Sequence, residues 1–389
     1  MSIGFILLQN LKRNPLRMGL TAVAFALPMA IFVAAISMVL ALDKMGAEKE
    51  KELRLAVHHK TTLVNPLPEA HRRRIEGLDP DRARLLAVCG MRWFGGRVPD
   101  TQNTITSLGA DPDTFPLVYS DTQMQPDEIE NWQKDRQACV VGTNAADLYD
   151  WDVGERITLE STVPPYLSLD FHIVKVIENP SQSNYFWFRR DFLVESLKSQ
   201  GIEDSTCNIF WVKCKSAAAL RQLQKEIDAF FANTPEETKS EDENAFGANF
   251  TQAAGDIPGL MQAMSIVVVV VIVLVAGNTM MMSFRERTRE LAVFKAIGFQ
   301  SGRIFRMVLA ESVILALGGS LIGVLPVALY LYMSPLKLTR MGPLGVLEVS
   351  WIAVAISLGI AVLVGLIAGS WPAVQALRLR TTDALRRAA

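Results

Sequence analysis

Four stretches of this chain, residues 18–42, 257–284, 312–336 and 349–377, contain no charged side chain. Each reaches the length of about 20 apolar residues that a helix needs to cross a bilayer. Hydrocarbon offers no partner to a bare charge or an unpaired backbone group, so nothing else in the chain qualifies. Half of the 389 residues are apolar, an unusual balance for a soluble chain of this size. The formal net charge of −1 gives no overall basic character that would point to nucleic acid. The stretch 18–42 is longer than the h-region of about 7–15 residues in a cleaved signal peptide, and no strong small-residue cleavage site follows it. It reads as an uncleaved signal anchor. The β-branched run at 266–276 does not count against a helix, because the bilayer imposes one regardless of propensity.

Orientation follows from the basic residues of the short loops. Lys12, Arg13 and Arg17 precede the first stretch. Arg285, Arg287, Arg289, Lys295, Arg303 and Arg306 follow the second, and Arg378, Arg380, Arg386 and Arg387 follow the fourth. Only Lys337 and Arg340 lie between the third and fourth. Both termini are therefore expected in the cytoplasm of a plasma or inner membrane protein. The expected fold class is a membrane α-helical protein with four transmembrane helices and an α+β extracytoplasmic domain inserted between the first and second. The expected divisions are a cytoplasmic segment 1–17, span one 18–42, the external domain 43–256, span two 257–284 and a cytoplasmic helix and loop 285–306. Span three 307–336, an external loop 337–348, span four 349–377 and a cytoplasmic tail 378–389 complete the chain.

The insert has the size of one large domain or two small ones. It opens at 43–60 with a charge run, Glu48-Lys-Glu-Lys-Glu52, expected to be a solvated helical extension of span one. Strand patterns occur at 137–142, 156–159, 171–177 and 208–214. Leu220, Leu223, Ile227, Phe230 and Phe231 recur at helical spacing within 217–231. Residues 234–247 are polar and acidic and read as a loop. The mixed order of helices and strands predicts a mixed or antiparallel sheet.

No catalytic constellation stands out. The sequence has no Walker pattern, no HExxH and no GxSxG. His58, His59 and His71 have no cysteine or carboxylate at ligand spacing beside them and read as exposed polar residues, not a metal site. The four cysteines, Cys89, Cys139, Cys207 and Cys214, form no CxxC pair. They lie in the segment placed outside the cytoplasm, where disulfides are permitted. Cys207 and Cys214 would face opposite sides of one continuous strand, so a bridge between them needs a turn. Tyr185, Phe186, Trp187 and Phe188 form an aromatic run that cannot all point inward on a half-buried strand. Either some of them form an extracytoplasmic contact surface, or the strand is buried between two subdomains. Glu311 stands at the edge of span three, within reach of Arg306 or Lys295, and is expected in a structural salt bridge.

The loop after span two is the most informative segment. Leu291, Phe294, Ile297 and Phe299 share roughly one face at helical spacing, Arg287, Glu290 and Lys295 lie elsewhere, and Gly298 is placed as a helix stop. A short amphipathic helix here lies on headgroups or fits a partner's groove; periodicity does not choose.

The run Glu290-Leu-Ala-Val-Phe-Lys-Ala-Ile-Gly-Phe299 resembles the MacB/FtsX/LolC-type permeases of ABC transporters, as do Glu311-Ser312 and the stretch Gly318-Gly-Ser-Leu-Ile-Gly323. The runs starting at Val140, Val153 and Phe171 are similar to the core of the MacB-type periplasmic domain, and Leu108-Gly-Ala-Asp-Pro-Asp113 to the segment before it. The tail Trp371-Pro-Ala-Val-Gln-Ala-Leu-Arg378, then Asp383-Ala-Leu-Arg386, matches the closing motif, with Thr381 or Thr382 where the family has proline.

The resemblance implies that residues 286–299 form a coupling helix. Its contact set on a cytoplasmic ATPase would be Glu290, Leu291, Val293, Phe294, Lys295, Ala296, Ile297, Gly298 and Phe299. It implies that a separate ATPase binds ATP and Mg, with no cofactor in this chain, and that the permease pairs with a second copy or a related chain. A periplasmic adaptor is a further implied partner. On that reading the chain is a non-catalytic subunit in which ATP hydrolysis moves the external domain. The work is export or extrusion of a lipid, lipoprotein, peptide or small toxic compound. The alternative is an FtsX-like regulator of an extracytoplasmic cell-wall hydrolase, against which the large insert counts.

Overall fold

A computed structural model describes residues 15–179, 182–253, 257–333, 336–337, 346–347 and 350–378. Lys12, Arg13, Arg340 and the tail motif with Arg380, Thr381, Thr382, Asp383, Arg386 and Arg387 lie outside the described residues. In chain order the elements are α1 (Pro15–Lys51), β1 (Arg54–His59), α2 (Ala70–Gly77), β2 (Leu85–Trp93), β3 (Gly96–Arg97), β4 (Thr104–Ala110), α3 (Phe115–Val118) and α4 (Pro126–Lys134). Next come β5 (Ala138–Gly142), α5 (Thr143–Tyr149), β6 (Arg156–Ser161), β7 (Ser168–Ile177), β8 (Tyr185–Arg189), α6 (Arg190–Ser199) and β9 (Ile209–Cys214). Then follow α7 (Ala217–Phe231), β10 (Thr238–Asp242), α8 (Glu243–Ala253), α9 (Ile257–Ala296), α10 (Ser301–Met333) and α11 (Trp351–Arg378). The chain divides into two units, one holding residues 1–41, 256–336 and 347–389, the other 42–255 with 337–346.

The first unit is helical. Segments of α1, α9, α10 and α11 are long and apolar enough to cross a membrane. Their shared core holds Phe25, Met29 and Val33 of α1, Ile272 and Ala276 of α9, Ala316 and Val324 of α10, and Ala361 and Val364 of α11. Lipid tails are as apolar as these side chains, so burial alone does not drive spans together and close backbone approach does. Gly319 and Gly323, one turn apart on α10, supply that approach. A Cβ on Gly323 would lie 1.9 Å from the Ala26 carbonyl oxygen, and one on Gly319 would lie 2.7 Å from the Cβ of Phe25. Gly365 and Gly369 of α11 repeat the spacing against Val313 and Ser312 of α10. Two Gly-xxx-Gly seams thus set α1 and α11 against α10.

The second unit is α+β. Its ten strands run in the order β10-β1-β9-β2-β4-β3-β6-β7-β5-β8, and an additional parallel pairing of β4 with β8 closes the last six into a ring. The first lobe, β10-β1-β9-β2, carries α2 and α7 over one face, where Ile75, Leu223, Ile227 and Phe231 pack on Leu55, Val57 and Val212. In the ring, Ile105, Val141, Leu159, Phe171, Phe186 and Phe188 form one cluster. A further cluster joins the ring to the first lobe through Trp187, Val140, Phe115 and Trp211.

That closure corrects the reading of the aromatic run as a contact surface. On β8 the side chains alternate between two apolar environments. Phe186 and Phe188 fall in the ring cluster, Trp187 falls in the joining cluster with Tyr185 packed against it, and only Tyr185 keeps partial exposure. A strand covered on both faces needs no polar alternation.

Three further expectations change. The charge run does not extend as helix to residue 60. Helix α1 ends at Lys51, and Arg54–His59 is a central strand between β10 and β9. Residues 234–247 are not a loop, since they hold β10 and the start of α8. His58 and His71 are buried, not exposed. His71 stacks on Phe231 at 4.2 Å between ring centroids, and burial holds its pKa below the ordinary value. Among the described residues no group of three His, Cys, Asp or Glu could hold a metal ion. All four cysteines are buried free thiols, and burial pushes those of Cys89 and Cys214 up to about 12.

Two outcomes follow from this packing. Gly323→Ala must push α1 away from α10 and should cost about 2 kcal/mol, read as a lowered melting temperature in micelles. Gly318→Ala is the control, because its Cβ would meet nothing within 4 Å. The folded chain should resist maleimide at neutral pH and label at Cys89, Cys139, Cys207 and Cys214 only when unfolded, measured by intact mass.

Candidate functional site

The segment that joins α9 to α10 gathers the charged residues singled out in the sequence. Helix α9 does not stop at the end of its apolar stretch but continues to Ala296, so residues 286–296 extend a spanning helix instead of forming a separate one. The stop is a glycine turn. Gly298 has φ +102°, a left-handed conformation that costs glycine little. Its N–H donates to the Lys295 carbonyl at 3.2 Å, and the Phe299 N–H donates to the Phe294 carbonyl at 3.0 Å. These are the paired bonds of a Schellman motif, whose usual companion is an apolar contact between the same two outer positions. Phe294 and Phe299 supply it, with ring centroids 5.4 Å apart.

Consequently the expected apolar face splits in two. Leu291 packs with Phe284, Ile304, Met307 and Ala376, and Phe294 and Phe299 pack against that cluster. Val293 and Ile297, one turn apart, point the other way and are 43% and 71% exposed. Ala296 and Gly298 are exposed beside them, while Glu290 and Lys295 are half-buried. Of the nine residues expected to dock a partner, then, Leu291, Phe294 and Phe299 hold the turn, and Val293, Ala296, Ile297 and Gly298 face outward.

Glu311 on α10 is in an ion pair with Arg287 of α9. Lys295 donates to the Leu377 carbonyl at 3.1 Å. That carbonyl belongs to the last turn of α11, where a cation satisfies an orphan acceptor and the negative end of the helix dipole. Arg287, Glu290, Glu311 and Ser312 line a shallow cleft together with Phe284, Phe294 and Met307. The charges therefore bind α9 to α10 and α11 at one end of the bundle. The Arg287 and Glu311 side chains are 23% and 13% exposed, so the pair is poorly solvated and losing one member weakens the hold on the other. Arg287→Met and Glu311→Leu should each destabilise the chain more than the two together. A double-mutant cycle on thermal melts should give a coupling of about 2 kcal/mol.

Residues 263–381 match the FtsX-like permease C-terminal family. The chain is 37% identical over 110 residues to a macrolide export ATP-binding/permease protein MacB of Chlorobaculum tepidum, an alignment covering 28% of this chain and 16% of that protein. The alignment thus spans about a sixth of that relative's length. An uncharacterized ABC transporter permease of Methanocaldococcus jannaschii is 24% identical over 310 residues, covering 76% of this chain and 74% of that one. Among solved structures, the periplasmic region of MacB from Actinobacillus actinomycetemcomitans aligns with a TM-score of 0.33 at 10% identity, covering 51% of this chain and 92% of that one. With four membrane-crossing helices, an inserted α+β domain and an FtsX-like permease segment over α9, α10 and α11, the chain is similar to ABC transporter permeases of the MacB/FtsX type.

Proposed function

We propose that the chain is the non-catalytic permease subunit of an exporter, driven by an ATPase that binds ATP and Mg. On this reading the end of the bundle that carries the glycine turn faces the cytoplasm, as the basic residues around it favour. Residues 42–255 then lie outside, and a second permease copy or related chain completes the unit. Movement driven by the ATPase reaches the inserted domain through α1 and α9, the two helices whose chain continues into it. The cargo is handled outside or at the outer leaflet as a lipid, lipoprotein, peptide or small toxic compound. The curated MacB relative is named for macrolide export.

One observation carries the reading: an exposed apolar pair, Val293 and Ile297, on a helix end that is held rigidly by its own turn and by the Arg287–Glu311 pair. Isolated apolar side chains at a surface are ordinary, but a preorganised pair beside charged neighbours suits a groove that receives a helix end. The resemblance offered Phe294 and Ile297 alike for this role. Phe294 packs in the turn, and on this reading the exposed Ile297 meets the partner.

Affinity capture of the full chain from native membranes should recover a polypeptide with Mg-dependent ATPase activity. Ile297→Asp should abolish that recovery while leaving the permease folded, and Phe294→Asp should reduce the yield of folded permease itself. Retention of the ATPase by the Ile297→Asp chain would reject this docking surface. Capture of a cell-wall hydrolase by the inserted domain, with no cargo exported, would favour the regulatory reading.

A further inference from the structure

Arg54 is the first residue of β1, three positions past the end of α1, and its side chain is completely buried. An arginine has five N–H donors, and here each has an acceptor. Nε and Nη2 reach the two carboxylate oxygens of Glu243 at 2.5 and 3.1 Å. Nη1 and Nη2 reach those of Asp121 at 2.5 and 3.1 Å. Nη1 also reaches the Val118 carbonyl at 3.3 Å, and the Tyr119 ring centroid lies 4.3 Å from the guanidinium carbon. Asp121 is held in turn by the side-chain amide of Gln182 at 2.5 Å, just before β8.

These partners come from three places in the chain. Arg54 lies on the strand that continues α1. Glu243 opens α8, the last described element before α9. Asp121 and Gln182 belong to segments that flank the closed ring. A paired buried ion cluster is a weak source of stability compared with apolar residues of the same volume, because desolvating the charges offsets their attraction. It does fix geometry, since every donor direction is specified. The apolar clusters already hold the ring to the first lobe. Among the described residues of α8, Phe246 joins that cluster, 5.3 Å from Trp211 and 5.6 Å from His58 between ring centroids, and Asn249 donates to Glu241 of β10 at 2.8 Å.

We propose that Arg54 is the joint that fastens both chain connections, the one from α1 and the one toward α9, to the ring of the inserted domain. Displacement of either connection is then delivered to the whole domain as one body. Without the Glu243 carboxylate, α8 would lose its ion pair to β1 and take up more of the movement itself. The purpose given to the joint rests on the export reading. The joint itself is tested without any ATPase, so either can fail alone.

The experiment uses the full chain in lipid nanodiscs, spin-labelled at Ala248→Cys on α8 and Val153→Cys beside the ring. Both positions are exposed, and the native thiols are buried away from the label. Pulsed dipolar spectroscopy should give one narrow distance on the otherwise unaltered chain. Glu243→Gln and Asp121→Asn, near-isosteric and each sufficient alone, should broaden it. Leu223→Ala, which truncates the separate cluster beneath α7, should lower the melting temperature and leave the distance narrow. A distance that stays narrow in the Gln and Asn variants overturns the joint. Equal broadening in the Leu223→Ala chain overturns it as well, because general loosening would then account for the effect.

Discussion

Hydrocarbon gives a charged or unpaired polar group nothing to bind, and the arrangement of this chain follows from that refusal. Four stretches are purged of charge, so the cations are collected at their ends. There they take structural work: Arg287 pairs with Glu311, and Lys295 closes the last turn of α11. Inside the layer, where burial separates nothing from water, the helices hold together by backbone proximity, through glycines that leave room for a neighbour's carbonyl. Among the described residues the positive-φ positions lie at Gly298 and in the inserted domain, while Pro28, Pro326 and Pro372 are carried inside spanning helices.

Much of this was legible in order of sequence and little of it in order of space. Residues 217–231 fold as the helix their spacing indicates, because one apolar face meets one sheet. The strand at 54–59 was hidden behind the charge run, whose composition masks where helix α1 stops. Residues 238–242 carry no apolar alternation, since β10 is an edge strand on β1 whose buried Ser240 bonds Asp228 of α7 instead of packing apolar surface. The aromatic run offered two readings that only ring closure separates: the pairing of β4 with β8 places a second wall behind β8, which no periodicity within 185–188 can announce.

The site shows the same limit more sharply. Helical spacing puts Leu291, Phe294 and Ile297 on one side of a helix, but the turn after Ala296 draws Phe294 toward Phe299 and leaves Ile297 outward. The glycine that signals the stop was readable; its consequence for the residue four positions earlier needed the hydrogen bonds of the turn. Glu311 met Arg287, 24 positions away on a different helix, where the sequence had suggested Arg306 or Lys295. Arg54 carried no signal at all in sequence, because its partners lie 67 and 189 positions away.

Ring closure also bears on how such a domain survives at high local concentration. A sheet of ten strands would ordinarily present two outer margins to passing chains, each a template for unwanted pairing. Here β8 turns back onto β4 and leaves β10 as the outer strand of that sheet. That strand is short and reads Thr-Lys-Ser-Glu-Asp, with Lys239 paired to Glu241 along it. The domain thus has one seam to guard against self-association, and it guards that seam with charge.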